Sequence, residues 1–278
     1  MTGIRCFILG SILILNYACT VSGPVEIWFN EESPVVSYGT EHFARHIESS
    51  GFSAKMNRGV KNPVWSVVMI SSEDKTPMLS LDKFAVDIEQ LNPQGYHILI
   101  EADTIFVLGK TDVGCLYGML DLIEQLSPDC DFQNIEERRV DPAFAFRAIK
   151  FNLPWAPYRP GPATELHSET CRDLDFWEAF LDMMVTNRFN ALSLWSTHLF
   201  PYMIRAENFP EATFFSDREL QKWKDFWKSL FEMAKERGIE TYLVNWNIVV
   251  SPEFADAYGA SVHDDRSDLV KQYTKAVS

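Results

Sequence analysis

Basic charge is scarce in this 278-residue chain: 25 Lys and Arg stand against 39 Asp and Glu, a formal net charge of −14. Lys and Arg contacts to phosphate supply most nucleic-acid affinity, so an acidic chain without a basic run is a poor match to DNA, RNA or an anionic membrane surface. Cysteine is scarce too. Of the 5 present, only Cys115, Cys130 and Cys171 lie well inside the chain, widely spaced and without a Cys-x-x-Cys pair. That spacing excludes a disulfide framework and a Cys/His zinc module. His167, His198 and His263 fall in different expected loops, so neither a metal site nor a cofactor is expected. Gly109-Lys110-Thr111-Asp112-Val113-Gly114 has glycines but the spacing of neither the Walker nor the dinucleotide fingerprint. No Asn-x-Ser/Thr acceptor occurs. What is abundant is aromatic: 13% of residues, with 20 Phe, 9 Tyr and 8 Trp, an excess that serves a core and a sugar-binding cleft equally well.

Residues 1–23 carry one charge, Arg5, ahead of the apolar run Phe7 to Leu15. A short positive segment followed by about 7–15 apolar residues describes a secretory signal, too short to span a bilayer. Leu15-Asn16-Tyr17-Ala18-Cys19 resembles a bacterial lipobox with Asn16 at an ordinarily apolar position. Two readings follow: a lipid anchor at Cys19, or ordinary cleavage near Ala18 or Thr20. Either gives an exported protein, periplasmic or on the outer surface, with no transmembrane span.

Residues 24–140 read as an α+β domain. Val25–Phe29 and Trp65–Ile70 are apolar strands, Tyr38–Ser50 a helix ended by Gly51, and Gly95–Glu101 pairs with Thr104–Gly109 across Ala102-Asp103 as a hairpin. A helix from Asp112 to Leu126 places Val113, Leu116, Leu120 and Ile123 on one face, and Gly114 and Gly118 let it approach the sheet closely. The expected layout has helices on one sheet face. The string Gly95-Tyr96-His97-Ile98, then Ile105 to Gly109, then Gly114-Cys115-Leu116-Tyr117-Gly118-Met119-Leu120 and Gln125-Leu126 resembles the accessory domain ahead of the catalytic barrel in family 20 hexosaminidases and α-glucuronidases. That resemblance implies a structural companion to a catalytic domain.

Glu136-Glu137-Arg138-Arg139 and Asp141-Pro142 mark a boundary, and residues 141–278 alternate strand and helix. Phe144–Asn152, Asn190–Trp195 and Ile239–Trp246 read as strands. Asp173 caps a helix with Phe176, Trp177, Phe180, Leu181 and Met184 on one stripe; Ser216-Asp217-Arg218-Glu219 is a capping box opening a second; Asp268–Ala276 opens a third. Repeated βα units imply a parallel sheet. Phe146 to Asn152, Asp175-Phe176-Trp177-Glu178 and Asn187 to Leu192 resemble the first strand, first helix and second strand of the same barrels, with Ala148 where the family has Gly. The fold class is thus an α+β accessory domain followed by α/β, a partial (β/α)8 TIM barrel of about three βα units. A full barrel needs about 250 residues.

In such barrels the C-terminal strand ends meet the substrate. They carry Lys150, Asn152 and Trp155, then Trp195, His198 and Tyr202, then Asn245, Trp246 and Asn247. With Arg147, these give a substrate-binding set of Arg147, Lys150, Asn152, Trp195, His198, Asn245 and Asn247, amides, aromatics and cations suited to sugar hydroxyls and ring faces. Arg147, Lys150 and Arg159 also suit a uronic-acid carboxylate. Glycoside hydrolysis needs two carboxyl groups, yet no Asp or Glu stands at a strand end. Glu165, Glu169, Glu207, Glu253, Asp264 and Asp265 fall in expected loops as solvated charge. In the families this chain resembles, the catalytic acids come from the fourth strand onward, which places them past Ser278. The reading is part of a glycoside hydrolase acting on a carbohydrate and inactive as this piece alone. The alternative is a non-catalytic glycan-binding surface lipoprotein.

Overall fold

A computed structural model describes residues 23–74, 83–126, 130–157, 159–245, 249–264 and 266–277, with side chains for all of these except Asn245. Residues 1–22 of the expected signal segment, Cys19 among them, lie outside the described residues, as do Trp246 and Asn247. No helix among the described residues is long and apolar enough to cross a membrane.

The first unit runs β1 (Pro24–Trp28), α1 (Pro34–Ser49), β2 (Ser53–Met56), β3 (Trp65–Ser71), α2 (Ala85–Glu89), β4 (Tyr96–Glu101), β5 (Thr104–Gly109), α3 (Asp112–Leu126) and β6 (Arg138–Val140). Its six strands form one mixed sheet in the order β2-β1-β3-β5-β4-β6. Strands β1, β2, β3 and β5 are parallel, whereas β4 is antiparallel to both β5 and β6. Helix α1 starts four residues before Tyr38, because Ser33 caps it by accepting from the Val36 N–H and Pro34 presets its first turn. Helix α3 matches its expected bounds, and its glycines are needed for contact. A Cβ on Gly114 would sit 2.3 Å from the Gly95 carbonyl oxygen, and Gly109 has Cys115 N at 2.5 Å from the same imagined atom. The apparent phosphate loop is a packing joint.

Helices α1 and α3 cover one sheet face with Phe43, Ile47, Leu116 and Met119 against Ile27, Val67, Ile105 and Val107. The other face is not bare, as a one-sided layout would leave it. Val68, Ile70, Phe106 and Leu108 point there by the two-residue strand period, and Phe84 and Ile88 of the α2 region pack on them. Strand β6 occupies the stretch read as a charged boundary. Its Arg138 donates to the buried Asp121 Oδ1 at 2.9 Å, and the Tyr96 hydroxyl donates to Asp121 Oδ2 at 2.8 Å.

The second unit contains β7 (Ala148–Asn152), α4 (Pro162–Leu166), α5 (Leu174–Thr186), β8 (Ala191–Ser196), α6 (Asp217–Glu236), β9 (Glu240–Asn245), α7 (Pro252–Tyr258) and α8 (Asp268–Val277). Strands β7, β8 and β9 form a three-stranded parallel sheet in chain order. Asp173 caps α5, and the Ser216–Glu219 capping box opens α6. Phe151, Leu192 and Leu194 pack with Trp177, Met184 and Leu230 of these helices. The aromatic excess is mostly core: Trp155, Trp177, Trp223 and Trp227 are buried.

The two units share one continuous hydrophobic cluster, reinforced by two polar joints. At the first, the buried Arg237 after α6 donates from Nε to Asp182 Oδ1 of α5 at 2.6 Å and lies over the Tyr38 ring of α1 at 4.7 Å. Tyr38 closes the triangle by donating to the same oxygen at 2.9 Å. The second joint surrounds Arg147. Its Nε donates to the Arg188 carbonyl at 2.6 Å, and its Nη2 to Gln94 Oε1 at 2.6 Å and the Tyr117 hydroxyl at 3.3 Å.

Candidate functional site

The segments that follow β7, β8 and β9 converge beyond the C-terminal strand ends and enclose a cleft of about 760 Å³. Its frame is made of backbone. Ala156, after β7, adopts φ +47°, the left-handed region that costs a non-glycine residue free energy. Its carbonyl accepts from the end of β8: from Thr197 N–H at 3.1 Å and Thr197 Oγ1 at 2.7 Å, with Ser196 Oγ at 3.1 Å sharing its one proton with the Trp155 carbonyl at 3.0 Å. The β7 and β8 segments are thereby fixed to one another.

The third wall comes from α7. Ser251 caps it, accepting from the Phe254 N–H at 3.1 Å and donating to the Ala212 carbonyl at 3.2 Å. Phe254 is fully buried against Phe209, Tyr258 and Tyr273. This anchoring turns the half-buried Glu253 toward the cleft, which it lines with Thr197, His198, Tyr202, Phe214 and His263. The expectation that Glu253 is a solvated loop charge is corrected here. The short helix that positions it carries a Ser-Pro start signal at Ser251-Pro252 that the strand-end reading passed over. Phe214, in the connection between β8 and α6, was also missed, because it is far from any strand end in sequence.

His198 is buried, with Nε2 3.0 Å from the Tyr273 hydroxyl of α8 and Nδ1 without a hydrogen-bond partner among the described residues. Burial pushes its pKa down to about 4, opposed by the Val249 backbone, so the ring is neutral at neutral pH. Burial raises the pKa of Tyr202 and of Tyr273, and the Glu253 carboxylate adds to both shifts. The electrostatic character of this wall is acidic.

The other sequence-derived candidates divide. Lys150, Asn152 and Trp195 share the sheet face opposite α5 and α6, with Asn152 in register with Trp195 and Lys150 Nζ 4.6 Å from the Trp195 ring. Lys150 and Asn152 are exposed there, beside Tyr242 and Val244 of β9. Asn152 also borders a smaller, mainly apolar cavity of about 390 Å³ with Phe151, His167 and Phe176. Asn245 pairs with Ser196 at the end of β9, and Asn247 is outside the described residues. Arg147 does not join these groups. It precedes β7, at the N-terminal end of the strand, and its guanidinium is engaged in the joint with Gln94, Tyr117 and Arg188. Its expected substrate contact is replaced by a structural one. Trp155 likewise is core, ringed by Tyr202, Trp223, Phe226 and Trp227. Among the described residues no cluster of His, Cys, Asp and Glu is arranged to hold a metal. Cys115 is buried, with its thiol raised well above the usual range by desolvation, a core residue without nucleophilic character.

No protein-family model matches the sequence, and comparison with curated proteins gives no match. Solved structures do match in fold. A GH138 enzyme targeting pectin rhamnogalacturonan II is similar with a TM-score of 0.73 and 22% identity, over 91% of this chain and 28% of that protein. A β-N-acetylhexosaminidase from Bacteroides fragilis gives 0.51 and 14%, over 92% of this chain and 50% of that one. The chain therefore spans at most half the length of these proteins. The likeness establishes the architecture: an α+β domain joined to part of a barrel-type α/β unit, as in glycoside hydrolases.

Proposed function

We propose that this chain is the carbohydrate-binding part of an exported glycoside hydrolase that cleaves O-glycosidic bonds of a polysaccharide or oligosaccharide. The observation that carries the reading is the cleft itself. It lies at the C-terminal ends of three parallel strands, where barrel enzymes meet substrate, and combines a carboxylate, imidazoles, a hydroxyl and an aromatic ring. The fold it shares with glycoside hydrolases supports this reading.

Hydrolysis by two carboxylates requires a separation of about 5–5.5 Å for retention or about 6.5–9.5 Å for inversion. Glu253 is the single carboxylate among the described residues of the cleft, so this chain binds glycan without turning it over. A uronic-acid-containing substrate keeps Lys150 as a cation on the open sheet face, while Arg147 is committed elsewhere.

Saturation-transfer NMR with a panel of pectic and arabinogalactan oligosaccharides tests the reading, alongside a reducing-sugar assay. Binding without release of reducing ends is expected. Absence of binding across the panel would overturn the sugar-site assignment, and measurable turnover would overturn the inactivity of this chain alone.

A further inference from the structure

We propose that the cleft takes an uncharged pyranose ring, stacked on Phe214 and hydrogen-bonded through its hydroxyls to Glu253, so that Phe214 fixes the orientation of the sugar. This deepens the sugar-site reading above and rests on it.

Phe214 is 53% exposed although it lines a concave site. It is braced from behind: Phe215 lies 4.1 Å away between ring centroids, and Tyr202 meets it edge-on at 5.9 Å. A large apolar ring held rigidly and left open inside a cleft is a binding face; the apolar C–H face of a pyranose matches it, leaving the hydroxyls at the ring's edge to polar partners. Glu253 supplies acceptors for those hydroxyls. Thr197 Oγ1 already donates its proton to the Ala156 carbonyl, so toward a ligand it offers only lone pairs.

Charge decides the substrate class. The described groups facing the site are the Glu253 carboxylate, the neutral buried His198 and the exposed His263. Glu253 already acts on Tyr202 and Tyr273 as a negative field. A uronate carboxylate entering beside it meets like charge, whereas a neutral ring does not. An acidic unit of the same oligosaccharide would sit elsewhere, against Lys150 on the open sheet face.

Titration calorimetry with a neutral galacto-oligosaccharide and an oligogalacturonate of equal length tests this. The neutral ligand binds, and the oligogalacturonate is weaker by about tenfold or more. Phe214→Leu keeps an apolar brace but removes the ring and weakens neutral binding by about tenfold, whereas Phe214→Trp retains it. Glu253→Gln narrows the gap between the two ligands. Equal or tighter binding of the oligogalacturonate, or a Phe214→Leu affinity within about twofold of the parent, overturns the proposal and leaves the sugar-site reading standing. Failure of both ligands to bind overturns both.

Discussion

Arg237→Ala tests the joint between the two units. The side chain is 5% exposed and contributes a charge-assisted hydrogen bond to Asp182 at 2.6 Å, worth about 1.5–3 kcal/mol. It also lies over the Tyr38 ring at 4.7 Å, worth about 0.5–2 kcal/mol. Orphaning a fully buried partner costs about 3–5 kcal/mol, but Asp182 is 42% exposed and water can rehydrate it. The expected loss is therefore about 3 kcal/mol, a drop in Tm of roughly 6–12 °C for a chain of this size. Thermal and urea unfolding followed by circular dichroism read it directly. A single transition is expected, because both sheets share one apolar cluster. A double-mutant cycle with Asp182→Ala should return a coupling of about 1–2 kcal/mol. A loss below about 1 kcal/mol, or strict additivity in the cycle, would refute the view that Tyr38, Asp182 and Arg237 act as one unit.

Three further substitutions have calculable outcomes. Gly114→Ala forces a Cβ to 2.3 Å from a backbone oxygen that cannot move aside, costing about 3 kcal/mol or more. Gly118→Ala meets side chains rather than backbone, Val107 at 2.5 Å and Tyr96 at 3.4 Å, and costs about 1–2 kcal/mol; urea midpoints in the reverse order would contradict the packing account. His198 has a folded pKa of about 4, against about 6.5 unfolded. Its stabilising contribution is complete above the unfolded value and is lost as pH falls through the window to about 4, amounting to about 3 kcal/mol. His198→Gln should flatten the stability profile across that window, and an unchanged slope would show that the ring protonates freely.

The legible parts of this fold are those with local causes. Helix α3 carries its own period and glycines, the β4–β5 hairpin its alternating apolar arms, and α6 its Ser216–Glu219 box, so each is visible before any neighbour is known. Strands β2 and β6 are polar edge strands four and three residues long, defined by the partners they pair with and by nothing in their own pattern. The same holds for the site. Lys150, Asn152 and Trp195 follow from strand register, but Glu253 reaches the cleft only because Phe254 is buried among aromatics contributed by α8 and by the segment around Phe209. Arg147 was misplaced for a related reason. Strand direction in the sheet assigns it to the end away from the cleft, beside Gln94 and Tyr117, which precede it by 53 and 30 positions.

The carbonyl of Ala156, gripped by Thr197 and Ser196 from the neighbouring strand end, separates two duties in this protein. The cleft's β7 and β8 segments are tied together through main chain and two small hydroxyl residues, while Phe214, Glu253 and His263 contribute to its lining. Replacements at those three positions, by drift or by design, therefore change the lining of the cleft while the backbone tie beneath it stays as it is.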